Sequence, residues 1–363
     1  MNRIGLFFSV WLVCTMITVR EAYAMHISEG IITGSSAVAY TLLGLALMGW
    51  AAVAMKRFAK RYPEKKPLLG MGSALIFFVS LMPIPAFTGT SAHPCGSPLA
   101  AILLGPVIGI GLTGISLLLQ AAFFAHGGFG TWGANLLALG FFGCFIGWGV
   151  FKIARRIGAP IWASGFAAGL IGDFAVYAVS GFILGKAFAH APNPKYSFYG
   201  YLTAIYLAYL PTQLPIAIGE MILTGLALQY AFNQRPEALY ELGVVRARQS
   251  AQKATVLPLL ILALAGWITA YHAPNALADE NQPNAVVAAQ NKPLSFAGLD
   301  ETVNERLAEN AGITPKEPYI NTEAMGDLWN ALLLTAGGVC GFVIGRWWHL
   351  LYVQPKNQLE DKH

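Results

Sequence analysis

The chain has 363 residues, 56% of them hydrophobic and only 11% charged. A soluble domain clothes its surface with roughly a quarter charged residues, so a soluble globular protein is excluded. The formal charge of +5 sits in clusters at the ends of apolar runs, where lysine and arginine mark cytoplasmic span ends, and this argues against a nucleic-acid partner.

Residues 1–24 read as a secretory signal peptide. Arg3 supplies the positive start, Ile4 to Ile17 the apolar stretch, and Ala22-Tyr23-Ala24 an A-x-A cleavage site. Cutting after Ala24 leaves Met25-His26-Ile27-Ser28-Glu29-Gly30 as the mature terminus, facing outside. Two other readings stay open: an uncleaved first helix, and translation beginning at Met25, which yields the same terminus. The four cysteines, Cys14, Cys95, Cys144 and Cys340, suggest no disulfide framework.

Apolar segments follow at about 31–55, 68–87, 98–124, 133–151, 160–185, 201–232, 256–271 and 328–352. Such runs cross the ~30 Å hydrocarbon core as helices. The expected fold is therefore all-α, a polytopic membrane bundle of about eight spans. Lys56, Arg57, Lys60, Arg61, Lys65 and Lys66 place the first connecting loop in the cytoplasm. Lys152, Arg155 and Arg156 mark a second inside loop, and Arg235, Arg246, Arg248 and Lys253 a third. These clusters share one side only if 98–124 is broken at Gly105-Pro106, into a short piece near 98–105 and a helix near 107–124. Irregular backbone at membrane depth belongs inside protein or beside a cavity, so this region is expected to line the substrate site. The outside loops are then about 88–97, 125–132, 186–200 and 272–327. Residues 273–326, rich in Ala, Asn, Pro and Glu, form an external loop expected to be only partly ordered.

A free Met25-His26 terminus has an unusual chemistry. The Met25 α-amine, the His26 amide nitrogen and the His26 ring nitrogen can chelate one metal in a plane, leaving a fourth position. Planar nitrogen donors favour Ni(II) or Cu(II), and imidazole also suits cobalt. The fourth donor should be a histidine on the same side. His93 qualifies, in Thr88-Gly89-Thr90-Ser91-Ala92-His93-Pro94-Cys95-Gly96. The plainer alternative is a surface histidine bonded to a backbone carbonyl.

The opening Met25 to Gly30, the Gly89-Thr90-Ser91-x-His93 stretch ending at Leu104-Gly105-Pro106, and Gln120 to Asn135 together resemble the CbiM/NikM family. The resemblance covers most of residues 25–235, and residues 25–255 are expected to form one metal-binding membrane domain. It implies the substrate-binding subunit of an energy-coupling-factor importer of Co²⁺ or Ni²⁺, with the ion held by Met25, His26 and His93. It also implies a transmembrane coupling subunit and ATPase subunits as partners, and a multi-pass inner-membrane location with the C-terminus cytoplasmic. The ion is substrate, and no permanently bound cofactor is expected. Ser28-Glu29 stands where the family has Pro-Asp; Glu29 should keep an acidic group near the site. Cys95 is either a soft extra ligand or loop filler. Residues 256–363 resemble the small CbiN/NikN subunit, two helices joined by an external loop, on Phe296, Gly298, Asp300, Glu301, Pro318-Tyr319 and Gly341-Phe342-x-Ile344-Gly345-Arg346.

His126 and Asn135 are expected either to orient the metal loops or to serve ordinary turn packing. Asp173 and Glu220 lie in apolar spans, either paired with polar neighbours or on the cation's path. His190, His272, His349 and His363 read as interfacial. No G-x-x-x-x-G-K-[ST] loop is present in the sequence, so nucleotide hydrolysis must come from other chains. A membrane-embedded metalloenzyme and a non-transporting metal sensor are the alternatives to an importer.

Overall fold

Hydrocarbon offers no water to an unpaired N–H or C=O, so apolar runs cross a membrane as helices that bond internally. The computed structural model describes residues 26–81, 84–85, 90–124, 126–245, 297–298 and 300–316, and it is a helical bundle. Helix α1 (Gly34–Arg61) leads through a short turn, Pro63–Lys65, into α2 (Pro67–Val79). Strands β1 (Ile84–Pro85) and β2 (Thr90–Ala92) precede α3 (Ser97–Leu104) and α4 (Pro106–Phe123). Helix α5 (Trp132–Arg156) is π-helical over Leu136–Gly143. Then come α6 (Ile161–Ala189), α7 (Phe198–Gln234) and the short α8 (Pro236–Glu241).

Among the described residues, five helices are long and apolar enough to cross a membrane: α1, α4, α5, α6 and α7. The expected spans at 256–271 and 328–352, and the signal peptide at 1–24, lie outside the described residues. The expected run 68–87 is helical only over Pro67–Val79, about 20 Å of rise, because the chain turns into β1 at Ile84-Pro85. The expected break is present. Gly105 adopts φ 94°, in the left-handed region that suits glycine, and Pro106 opens the next helix.

Helix α7 shows how the bundle is turned inside out relative to a soluble protein. Leu207, Leu210, Leu214, Ile218, Ile222 and Leu226 form an exposed apolar stripe at helical spacing. Its buried face carries Tyr209, Thr212, Gln213, Glu220 and Thr224. Apolar side chains meet lipid, and polar ones are gathered inside.

Helices α6 and α7 pack at backbone contact. A Cβ on Gly169 would lie 2.6 Å from the Glu220 carbonyl oxygen, and one on Gly165 would lie 2.9 Å from the Gly225 Cα. Small residues at these positions bring the two helices close enough to fix where Glu220 stands. At one end of the bundle, Lys65 pairs with Glu241 and Lys152 Nζ donates to the Gly243 carbonyl at 3.1 Å. The loops around residues 26, 93 and 126 gather at the other end.

The bundle carries one small addition to its helices, a three-stranded sheet in the order β1-β2-β3. Its third strand, β3 (Ala297–Gly298), comes from the long polar segment 273–326 and runs parallel to β2, Thr90 opposite Ala297 and Ser91 opposite Gly298. A π-helical turn at Asp300–Glu305 and α9 (Arg306–Asn310) follow it. Val303, Leu307, Ala308 and Ala311 share a buried cluster with Ile27, Ile31 and Ala92. Part of the loop expected to be only partly ordered is therefore folded against the His93 loop. Apolar residues spaced along 303–311 give it a face to bury, which the polar average of 273–326 conceals.

Adding a methyl group at Gly169 forces α6 and α7 apart, and overpacking of this kind costs about 1–3 kcal/mol. Gly169→Ala should therefore lower the thermal unfolding midpoint of the purified full chain in detergent by several degrees. Gly49→Ala, on α1 with nothing within 4 Å of the new Cβ, should leave it unchanged or slightly higher.

Candidate metal centre

Three non-helical segments bring histidines to one point. His26 lies in the turn before α1, His93 in the loop between β2 and α3, and His126 between α4 and α5. All three rings are buried, and one nitrogen from each lies within 4.8 Å of the others. The His26 ring stacks on His93 with centroids 5.0 Å apart and meets His126 edge-on at 4.3 Å.

The protonation of these rings follows from their surroundings. His93 Nδ1 lies 3.0 Å from the Pro94 carbonyl oxygen, so Nδ1 carries the proton and Nε2 keeps its lone pair. His93 Nε2, His126 Nε2 and both ring nitrogens of His26 have no hydrogen-bond partner among the described residues. Buried polar atoms are normally satisfied, so four unpaired nitrogens on three clustered rings call for an explanation. Burial holds His26 well below the ordinary histidine range, and His93 beside it adds to the effect. Burial likewise pushes His93 down to about 4 and lowers His126. Neutral imidazoles with free lone pairs are the form that ligates a metal.

The loops are held by side chains from the helices. Asn135 receives the Ile27 N–H at Oδ1 (2.9 Å) and donates from Nδ2 to the Ile27 carbonyl (3.2 Å). Thr131 donates to the same carbonyl at 2.7 Å. Residue 27 is thus gripped at both backbone groups, which fixes His26 beside it. The Glu29 carboxylate accepts the Gly130 N–H at 2.8 Å and joins the turn before α1 to the His126 loop. The Glu29 carbonyl accepts the Lys316 N–H at 2.9 Å, which ties the segment carrying β3 and α9 to the same turn.

On the His93 loop, the Cys95 and Gly96 N–H groups both donate to Glu220 Oε2, at 2.9 and 3.0 Å. The Cys95 thiol donates to Asp173 Oδ1 at 3.4 Å, and the Tyr177 hydroxyl donates to the His93 carbonyl at 3.2 Å. Burial, reinforced by Asp173 and Glu220, pushes the Cys95 thiol well up, so it stays a neutral donor.

Of the residues expected at the site, His26 and His93 meet, and Met25 lies outside the described residues. Asn135 grips the turn before α1 at both backbone groups of Ile27. His126 stands nearer than expected, as a third convergent imidazole. Cys95 lines a small cavity with His26, His93 and Tyr177 but spends its thiol on Asp173. Asp173 and Glu220 prove to be loop anchors, and Tyr177 carried no signal in the sequence beyond an aromatic in an apolar span.

Residues 26–238 match a family described as a cobalt uptake substrate-specific transmembrane region, CbiM. The chain is 35% identical over 345 residues to a cobalt transport protein CbiM of Geobacter sulfurreducens, covering 94% of each. It is 37% identical over 228 residues to a cobalt transport protein CbiM of Sorangium cellulosum, covering 62% of this chain and all of that one. A crystal structure of a transition metal transporter matches 60% of this chain and 99% of its own at a TM-score of 0.50, with 27% identity. With the match over 26–238 and a relative aligned almost end to end, this chain belongs to the CbiM family of cobalt-uptake transmembrane proteins.

Proposed function

We propose that this chain is the metal-capturing subunit of an ATP-driven importer of Co²⁺, with Ni²⁺ as the alternative ion, taken up at the outer face of the inner membrane. The observation that carries the reading is the meeting of His26, His93 and His126, buried and with unpaired ring nitrogens within reach of one ion. Family membership makes the chain a transporter subunit and not an enzyme.

In this reading the α-amine of Met25, the amide nitrogen and ring of His26, and Nε2 of His93 bind the ion. His126 supplies a further donor. Four planar donors alone would favour Ni(II); a fifth nitrogen favours an ion that accepts a higher coordination number, and this tilts the choice to cobalt. A free amine at Met25 requires removal of residues 1–24 or a start at Met25. The N-terminal turn and the loops at 93 and 126 then face outside, and the basic ends with Lys65 and Lys152 face the cytoplasm. Glu29 and Cys95 stay off the ion and hold the loops around it. Energy comes from separate ATPase subunits through a transmembrane coupling subunit. Residues 256–363 act as a fused CbiN/NikN-like hairpin. The Sorangium relative, matched in full by 62% of this chain, supports that division.

Titration of the purified full chain with Co²⁺ against a chromophoric chelator tests the ligand set. His26→Ala and His93→Ala should each weaken binding at least about 100-fold, and His126→Ala about 10-fold, following the 10–100-fold effects of removing groups around a metal. Wild-type affinity in His93→Ala would contradict the assignment.

The terminus gives a second test, because no side chain need change. Edman sequencing of the membrane-inserted chain should read Met-His-Ile-Ser. One alanine inserted before Met25 should abolish binding as a ligand deletion does. Tight binding by a chain with an extended or blocked terminus would refute the chelate.

A further inference from the structure

Glu220 is fully buried on α7, about 14 residues from the end of that helix at Gln234, or about 21 Å by helical rise. That is membrane depth. Its carboxylate accepts the N–H groups of Cys95 and Gly96 on one oxygen, and the Thr224 hydroxyl at 3.3 Å on the other. Asp173 on α6, also fully buried, accepts the Cys95 thiol on Oδ1, and its Oδ2 has no partner among the described residues. Among the described residues neither carboxylate pairs with a lysine or arginine; the ion pair found there joins Lys65 and Glu241 at the bundle's end.

Two consequences follow. The Cys95 and Gly96 N–H groups lie just ahead of α3, with Gly96 as its N-cap residue, so Glu220 satisfies backbone donors at a helix entry that would otherwise be left unpaired inside the bundle. This fixes the residues immediately after His93. A buried carboxylate also needs a compensating cation, or it is costly where it stands. The segment it grips is the one that presents a metal-binding imidazole.

We propose that Glu220 is the positioning residue for His93 and also supplies negative charge that stabilises a bound dication from beneath the loop. It touches no metal. Hydrogen-bond acceptance sets the geometry, and charge adds to the affinity. Capture of the ion and the setting of α7 are thereby joined, since α7 cannot shift against α3 without moving the His93 loop. This rests on the metal site proposed above.

Glutamine and alanine separate the two contributions, because the glutamine oxygen accepts both N–H groups without charge. The full chain, purified in detergent under anaerobic conditions, is titrated with CoCl₂ and followed by d–d absorption and by chelator competition. Glu220→Gln should keep the wild-type spectrum and bind about 10-fold more weakly. Glu220→Ala should show an altered spectrum and weaken binding about 100-fold. If Glu220→Ala retains both the wild-type spectrum and affinity, or if Glu220→Gln alters the spectrum as much as alanine does, Glu220 does not position His93. If Glu220→Gln binds as tightly as wild type, its charge contributes nothing and that half of the proposal falls. A wild-type chain that binds no Co²⁺ overturns the metal site itself, an outcome distinct from all of these.

Discussion

The structure depends on how irregular backbone is satisfied where water is absent. Helices meet this requirement by themselves, but a site for a cation needs side chains converging from loops, and loops leave N–H and C=O groups open. Here the two gripping residues are Asn135 and Glu220. Asn135 pairs with both backbone groups of Ile27, and Glu220 takes the two N–H groups just ahead of α3. Each reaches from a long helix to a segment more than a hundred residues away in sequence. Without them, non-helical chain next to His26 and His93 would not be tolerable inside the bundle.

That arrangement explains the inverted distribution of polarity. The outward stripe of α7 is leucine and isoleucine, and its inward face carries threonine, glutamine and glutamate. The same helix meets α6 through Gly165, Gly169 and Gly225, close enough that the backbone itself sets the depth of Glu220. Packing and polar satisfaction are therefore one structure, in which small residues set a distance, an acid holds a loop, and the loop carries His93.

Much of this was legible in the sequence because membrane constraints act on composition and on local order. The break at Gly105-Pro106 followed from requiring the basic clusters to share a side, and the backbone turns there at φ 94°. His26 and His93 were readable as a pair through the chemistry of a free Met-His terminus. What lay beyond reach depends on long-range placement. His126 is one histidine in a glycine-rich turn until α4 and α5 deliver it to the others. Glu220 looks like any acid in an apolar span until α6 and α7 close on each other. The short α2 and the folding of residues 300–316 against the His93 loop were likewise decided by tertiary contacts that no window of sequence contains.

The central claim is that a transition-metal ion is held by nitrogen donors from the terminus, His26, His93 and His126. X-ray absorption at the cobalt edge of the metal-loaded, purified chain tests it most directly. Donation by all three histidines should give nearest neighbours that are nitrogen alone, with the outer-shell scattering of three imidazole rings. A sulfur scatterer, which would bring in Cys95, or a shell of oxygen without imidazole scattering, would contradict it.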